Sequence, residues 1–252
     1  MQEGTLTVNI KAKVAQLTLG HPRANALTPA LIQEVITTLD RLSTSPDIAV
    51  VVLQTEGERA FCGGAALHDL ATATSLEEAT EFFMGFARLI NALRRFPKFV
   101  IARVQGKCVG GAVGLVAACD YAFATTQTAV KLSELSIGIG PFVIAPAVQR
   151  RIGKSAFAHL SVASTQWHSA AWAAQHGLFA SLEENIGALD TAVNALATQL
   201  ASTPLEAMAT LKALHWEGTE HWDNTLADNA KKTAKLALQP FTQQILKKLM
   251  DK

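Results

Sequence analysis

Residues 99–119 read FVIARVQGKCVGGAVGLVAAC, and this stretch decides the fold. The first six residues are almost all apolar and have the length of one strand, which is typical of a parallel sheet covered on both faces. Glycines at positions 106, 110, 111 and 114 follow, and the apolar run after Gly111 suits a helix. The stretch therefore predicts a buried strand, a small-residue loop and a helix in succession.

A second stretch repeats this arrangement. Residues 48–53 (IAVVVL) form another apolar run, and the loop after it contains Phe61-Cys62-Gly63-Gly64-Ala65. Loops of small residues let a ligand approach the backbone, and a helix that starts there directs free N–H groups towards the ligand. Two such loops could converge on one developing oxyanion. The pattern leaves ordinary close packing of glycine equally open.

The rest of the chain predicts an α/β body followed by a helical C-terminal piece. Alternating apolar residues over 6–19 predict a hairpin, and Thr28-Pro29 predicts the start of a helix. Ser75 and Glu78 form a capping box for a helix reaching about Arg95. Short strands are expected at 121–124 and 130–132, and helices at 187–201, 204–214, 222–238 and 240–250.

Composition narrows the class of protein. Of 252 residues, 49% are hydrophobic and 17% are charged, and the net charge is +1. These values exclude global disorder and argue against a nucleic-acid binder. The longest apolar run is too short for a membrane span, and no secretory signal is visible at the start. Because Cys62, Cys108 and Cys119 show no metal spacing and cannot all pair, a cytoplasmic enzyme is expected.

The small-residue loops belong to an ordered set of motifs that resembles a known family. The set comprises His21-Pro22-Arg23-Ala24-Asn25-Ala26-Leu27, Phe61-Cys62-Gly63-Gly64-Ala65, Gly106-Lys107-Cys108-Val109-Gly110-Gly111, Ala118-Cys119-Asp120 and Glu134-Leu135-Ser136-Ile137-Gly138. Together these segments resemble the crotonase superfamily, the enoyl-CoA hydratase/isomerase family. Each motif alone is weak, whereas the ordered set is specific and covers nearly the whole chain.

The resemblance implies a fold and a set of site residues. It implies a spiral of β-β-α units over residues 1–190, with the active site, and a helical trimerisation region over residues 191–252. Backbone amides of Ala65 and Gly111 would form an oxyanion hole for a thioester, and Glu134 would be the catalytic base. Leu132, Leu135 and Ile137 are the apolar neighbours expected to raise its pKa. Substrate-binding positions would be Arg23, Ala24, Gly64, Gly110, Gly114 and Phe142.

One departure from the family pattern bears on the reaction. Two-glutamate hydratases carry a second glutamate where this chain has Gly114, and a glycine-rich stretch where it has Phe142-Val143-Ile144. Both changes remove groups that would hold water, so the resemblance implies most directly an enoyl-CoA isomerase with a single glutamate. A one-glutamate hydratase, acting on a branched methylglutaconyl-CoA-type ester, stays open. So does a non-catalytic acyl-CoA-binding or RNA-associated protein of this fold.

The expected ligand is an acyl-CoA thioester. Coenzyme A would be part of the substrate, and no permanently bound cofactor, metal, nucleic acid or membrane is expected. A homotrimer or a dimer of trimers is expected. His68 and Asp69 lie near the first loop, and the sequence leaves open whether either one replaces the acid missing at Gly114.

Overall fold

The chain builds two β-sheets, of which the larger has six strands. The computed structural model describes residues 4–250, without the side chain of Met250. The large sheet contains β1 (Thr5–Lys11), β2 (Val14–Gly20), β3 (Val50–Thr55), β5 (Phe99–Val104), β7 (Tyr121–Thr125) and β10 (Ser181–Glu183), in that order. The pair β1–β2 is the expected antiparallel hairpin, and every later pairing is parallel.

The smaller sheet has four short strands. It contains β4 (Ala60–Cys62), β6 (Lys107–Val109), β8 (Ala129–Lys131) and β9 (His168–Ser169). The first three run parallel, and β9 pairs antiparallel with β8. The sequence predicts only β8 of these strands, because three residues or fewer are too short to show a hydrophobic period.

Two helices begin at the capping residues that the sequence predicts. The Thr28 side chain accepts the Leu31 N–H at 3.1 Å, and Ser75 and Glu78 form the reciprocal capping box. The helices are α1 (Pro29–Ser43), α2 (Leu67–Thr72), α3 (Leu76–Arg95), α4 (Gly111–Ala118), α5 (Ala145–Val162), α6 (Ala170–Gln175), α7 (Ile186–Ala201), α8 (Leu205–His215), α9 (Trp222–Ala237) and α10 (Pro240–Met250). A 3₁₀ helix (Glu134–Ile137) lies between β8 and α5.

A three-part unit recurs along the chain. Each unit contributes one strand to the large sheet, the next strand to the small sheet and then a helix. The units are β3–β4–α3, β5–β6–α4 and β7–β8–α5, with α2 inserted in the first. This is the spiral of β-β-α units that the resemblance implied, and that expectation is confirmed.

Helices cover both faces of the large sheet, as its apolar strands require. On one face α7 packs Leu189 and Val193 against Val50, Phe99 and neighbouring strand residues. On the other side of the molecule α9 packs along α3. The expected division at residue 190 falls inside α7, and the trimerisation role of the later helices stays a prediction. No helix within residues 4–250 is both long and apolar enough to cross a membrane.

Candidate active site

The parallel register of the small sheet brings three loops to one edge. Cys62 of β4 pairs with Cys108 of β6, and Cys108 pairs with Val130 of β8. The carboxyl ends of parallel strands gather at the same edge of a sheet, which is where ligands bind in α/β proteins. Loops beginning at Gly63, Gly110 and Leu132 therefore leave the sheet side by side.

The first loop is held from two sides. Gly64 has a φ of +94°, and its carbonyl accepts the Leu27 N–H at 2.9 Å. The Ala66 N–H donates to the Leu27 carbonyl at 2.9 Å, and the Cys62 Sγ accepts the Gly64 N–H at 3.3 Å. These bonds fix the backbone around Ala65 while leaving the amide of Ala65 out of the bonding pattern.

The second loop places a helix start beside the first loop. Gly110 has φ +56° and ψ −122°, a conformation that a residue with a Cβ rarely adopts. The next residue, Gly111, opens α4, so its N–H has no acceptor within the helix. A methyl group placed on Gly64 would lie 3.8 Å from the Gly111 nitrogen. Within residues 4–250, neither the Ala65 amide nor the Gly111 amide donates a hydrogen bond.

A carboxyl group lies against this pair of loops. Glu134 is the first residue of the 3₁₀ helix, and a methyl group placed on Gly110 would lie 3.0 Å from Glu134 Oε1. Glu134 Oε2 is buried and has no hydrogen-bond partner among the described residues. Burial raises the pKa of Glu134 to about 7, opposed by a hydrogen bond from its own backbone. The carboxyl is therefore poised to exchange a proton near neutral pH.

The neighbours of Glu134 differ in part from the sequence expectation. Leu132 is buried and Ile137 lines the pocket, as expected of apolar neighbours. Leu135, however, is 54% exposed, so the expectation that it surrounds the carboxyl is wrong. The 3₁₀ turn explains the difference, because it directs Glu134 inward and Leu135 outward.

A small apolar pocket of about 90 Å³ joins these groups. Among its lining residues only Ser133, Glu134 and Thr233 carry polar side chains. The lining is Gly63, Gly64, Ala65, Leu67, Phe83, Phe86, Val109, Gly110, Gly111, Ser133, Glu134, Ile137, Ile139, Gly140, Pro141, Val143, Ile144 and Thr233. No group of three or more metal-ligating side chains is found within residues 4–250.

The position next to the pocket that could carry a second acid is filled. A methyl group placed on Gly114 would lie only 2.3 Å from Ile144 Cγ2. Ile144 thus occupies the volume into which a longer side chain at position 114 would project. His68 and Asp69 lie on α2 and do not line the pocket. Glu134 is therefore the one carboxylate in the described lining.

The residues expected to bind substrate divide into three groups. Gly64 and Gly110 line the pocket, and Arg23 and Ala24 are exposed on the adjoining loop, where the Ala24 carbonyl accepts the Gly63 N–H at 2.8 Å. Gly114 and Phe142 do not line the pocket. The Phe142 ring covers Gly140 and is 37% exposed, and its role in binding stays a prediction.

Sequence reasoning missed the contribution of α3 and α9. Phe83 and Phe86 line the pocket from α3, and Thr233 lines it from α9. The Thr233 hydroxyl donates to the Asn229 carbonyl at 2.8 Å, and Asn229 Nδ2 donates to the Phe142 carbonyl at 2.9 Å. The available signal was a buried threonine within the apolar stripe of α9.

Comparisons with known proteins agree with this geometry. A family model described as "Enoyl-CoA hydratase/isomerase" matches residues 9–251. The chain is 32% identical over 183 residues to the bacillaene synthase dehydratase PksH of Bacillus subtilis, covering 69% of this chain and 67% of that protein. It is 27% identical over 209 residues to (E)-benzylidenesuccinyl-CoA hydratase of Thauera aromatica, covering 82% and 81%. The match spans only 49% and 58% of two further curated relatives, from Bacillus subtilis and Thermus thermophilus.

Solved structures share the fold over nearly the full length. An enoyl-CoA hydratase from Mycobacterium avium has a TM-score of 0.86 and 28% identity, covering 98% of this chain and 96% of that chain. An enoyl-CoA hydratase from Bacillus halodurans has a TM-score of 0.89, covering 96% and 99%. Its identity of 21% supports likeness of fold alone.

Proposed function

Since this chain belongs to the enoyl-CoA hydratase/isomerase family, we propose that it is an enoyl-CoA isomerase with Glu134 as its sole base. The reaction moves a carbon–carbon double bond from C3 to C2 of an acyl-CoA thioester. Glu134 takes a proton from C2, and the electron pair delocalises onto the thioester oxygen as an enolate. The protonated carboxyl then returns the proton at C4, so no atom is gained or lost.

Two backbone amides support the enolate step of this proposal. The unpartnered N–H groups of Ala65 and Gly111 leave adjacent loops and border the pocket. Fixed donors stabilise an oxygen that gains charge in the transition state more than they stabilise the neutral ester. Removing one such donor from an enzyme costs about 3 kcal/mol of transition-state stabilisation. The N-terminal dipole of α4 adds to the effect.

The observation that carries the proposal is the state of Glu134. Its Oε2 is sealed from solvent without a partner, in a pocket that is otherwise almost entirely apolar. A buried carboxylate oxygen without a hydrogen-bond partner destabilises the folded state. This favours a role for Glu134 in binding or chemistry over a structural role. A pKa of about 7 suits a group that must both accept and return a proton.

The packing of Ile144 supports isomerisation over addition of water. Hydration needs polar groups that hold a water molecule on the substrate. Ile144 fills the space beside Gly114, and only Ser133 and Thr233 add polar side chains to the lining besides Glu134. A water molecule needs two to four polar partners. With the two amides engaged by the thioester oxygen, the side chains left are Glu134, Ser133 and Thr233, and the Thr233 hydroxyl already donates to the Asn229 carbonyl.

Hydration is the second candidate, because similar proteins carry that name. The relatives include (E)-benzylidenesuccinyl-CoA hydratase, and the solved structures include enoyl-CoA hydratases. A hydratase would use Glu134 alone to activate water and could take a branched ester. Isotope labels separate the two reactions, because hydration in heavy-oxygen water labels C3, whereas isomerisation incorporates no oxygen.

The test substitutes Glu134→Gln, which keeps the shape and removes the proton transfer. We expect turnover of 3-enoyl-CoA esters to fall by at least about 100-fold while binding of the ester persists. Glu217→Gln, at an exposed glutamate outside the pocket, serves as the matched control and should keep full activity. Near-normal activity of the Glu134→Gln variant would remove this residue from the mechanism. Binding of many esters without turnover of any would favour the non-catalytic alternative.

A further inference from the structure

We propose that the site takes acyl groups of about four carbon atoms and that Phe83 sets this limit. The inference rests on the proposed function and names its substrate class: short, linear enoyl-CoA esters. It follows from the size of the pocket, the elements that line it and the packing of the side chains that form its walls.

The volume of the pocket limits the size of the acyl group that it can hold. It measures about 90 Å³ and is bordered by the reactive groups, namely the Ala65 and Gly111 amides and Glu134. An apolar protein cavity of about 150 Å³ holds one benzene ring of six carbons. By proportion this pocket holds about four carbons. The acyl group fills it completely when the thioester oxygen reaches the two amides.

Two aromatic side chains of α3 line the pocket, Phe86 beside the two amides and Phe83 one helical turn farther away. A methyl group placed on Gly111 would lie 2.5 Å from Phe86 Cε1, so this ring is packed against the start of α4. Phe83 lies three residues earlier on the same helix face and also lines the pocket. Phe83 therefore stands where carbons beyond the reacting ones would extend.

The Phe83 side chain cannot move away from the pocket without displacing its neighbours. Phe83 is 7% exposed and packs edge-on against Phe82, with their ring centroids 5.2 Å apart. Behind it α3 packs along α9, whose Thr233 borders the same pocket. Beyond the pocket the two helices are tied by Arg94, whose Nη2 lies 3.5 Å from Asp223 Oδ1 in the first turn of α9. A longer acyl chain would have to part α3 from α9.

The opposite wall is closed as well. Ile144 is 4% exposed and its side chain abuts Gly114, while Val143 is equally buried. Because both side chains are held by this packing, an acyl chain could extend in this direction only by displacing them. The α3 wall is thus the place where a single substitution can lengthen the pocket.

The experiment measures kcat/KM for linear 3-enoyl-CoA esters of four, six, eight and ten carbons. We expect the four-carbon ester to be favoured, with a loss of about 10-fold or more for each two-carbon step beyond four. Phe83→Leu and Phe83→Ala should reduce the preference for four over ten carbons by about 10-fold or more. Phe99→Leu, at a comparably buried ring in the large sheet that neither lines the pocket nor packs against Phe83, should keep the wild-type preference.

The outcomes separate this inference from the proposed function. If no ester of any length turns over, the proposed function falls and this inference falls with it. If turnover holds constant or rises towards ten carbons, the length limit is overturned while the isomerase proposal stands. The mild Phe83→Leu variant guards against unfolding of Phe83→Ala, and the wild-type length series decides the question without either variant.

Discussion

At the scale of single residues, the site depends on one carboxyl group kept away from water. Glu134 lies only three residues after the half-buried end of β8 at Lys131, yet its Oε2 is buried and has no hydrogen-bond partner among the described residues. Burial disfavours the ionised form and raises the pKa to about 7. The same environment that makes the group reactive near neutral pH makes its charge costly to the folded state.

The raised pKa predicts how activity depends on pH. The base must be ionised to take a proton, so kcat/KM should rise with pH through about pH 7 and level off above it. The measurement is the pH profile of kcat/KM with a 3-enoyl-CoA ester. A flat profile between pH 5 and pH 9 would contradict the assignment of Glu134 as the base.

The raised pKa also predicts how stability depends on pH. Between the ordinary value of 4.5 and about 7, the folded state holds the proton of Glu134 more tightly than the unfolded state does. The free energy of unfolding therefore falls as pH rises through this range, by about 3 kcal/mol for this group. Urea unfolding at pH 4.5 and pH 8 measures the loss. The Glu134→Gln variant should lack it, and an equal loss in both proteins would contradict the prediction.

A second residue-scale prediction concerns Gly114. Gly114→Ala forces a methyl group to within 2.3 Å of Ile144 Cγ2, and we expect a loss of about 1–3 kcal/mol in the free energy of unfolding. The matched control is Gly85→Ala on α3, where the new methyl group would meet Ile32 at an ordinary 3.7 Å. That control should gain up to about 1 kcal/mol from helix propensity. Urea unfolding measures both, and Gly114→Ala should cost much less when it is introduced into an Ile144→Ala background than into the wild-type chain.

At the scale of secondary structure, the number of residues in a helix or strand determined whether the sequence could predict it. The strand at 99–104, the helix that Ser75 caps and the C-terminal helices have enough residues to show a hydrophobic period, and their bounds agree with the sequence within about two residues. The strands β4 and β6 have three residues each and show none. Their pairing depends on contacts between segments distant in sequence, so the glycine loops were visible whereas the sheet that aligns them was not.

One buried ion pair should determine how firmly α8 is attached. Lys212 Nζ lies 2.8 Å from Asp120 Oδ2 and also donates to the Lys98 carbonyl at 2.9 Å, which ties α8 to the starts of β5 and β7. Burial lowers the pKa of Lys212, and Asp120 opposes this shift. Lys212→Met leaves the Asp120 carboxylate buried without its cation, so we expect a loss of about 3–5 kcal/mol.

Urea unfolding of a double variant checks the origin of that loss. Adding Asp120→Asn to Lys212→Met removes the unpaired charge and keeps an acceptor for the Val100 N–H. The double variant should therefore be more stable than Lys212→Met alone. If the two variants are equally unstable, the loss comes from packing of the lysine stem and the buried charge is irrelevant.

At the scale of the whole molecule, apolar side chains remain uncovered on the C-terminal helices. Leu205, Leu211 and Leu214 on α8 are 38%, 44% and 57% exposed. Residues three apart share a face of a helix, so Leu211 and Leu214 form one apolar patch. Since the resemblance implies trimerisation through this region, we expect a second copy of the chain to cover the patch.

The oligomeric state in solution tests this expectation. Sedimentation equilibrium should give a mass of three or six copies for the wild-type chain. Leu214→Glu places a charge on the patch and should shift the mass towards a single copy. Val162→Glu changes an apolar residue that is 73% exposed at the end of α5 and is not part of the patch, and it should leave the mass unchanged. A monomeric wild-type chain would refute trimerisation.

The pocket draws its lining from Gly63 through to Thr233. On the ribosome, a nascent chain that has emerged only as far as the 3₁₀ helix would contain both glycine loops and Glu134. It would lack Thr233, which lines the pocket from α9. The ribosome must translate beyond Thr233 by the number of residues that its exit tunnel covers. Only then can the chain form the complete pocket around an ester. Catalytic competence should consequently appear late and abruptly during translation, rather than growing in proportion to the length already made.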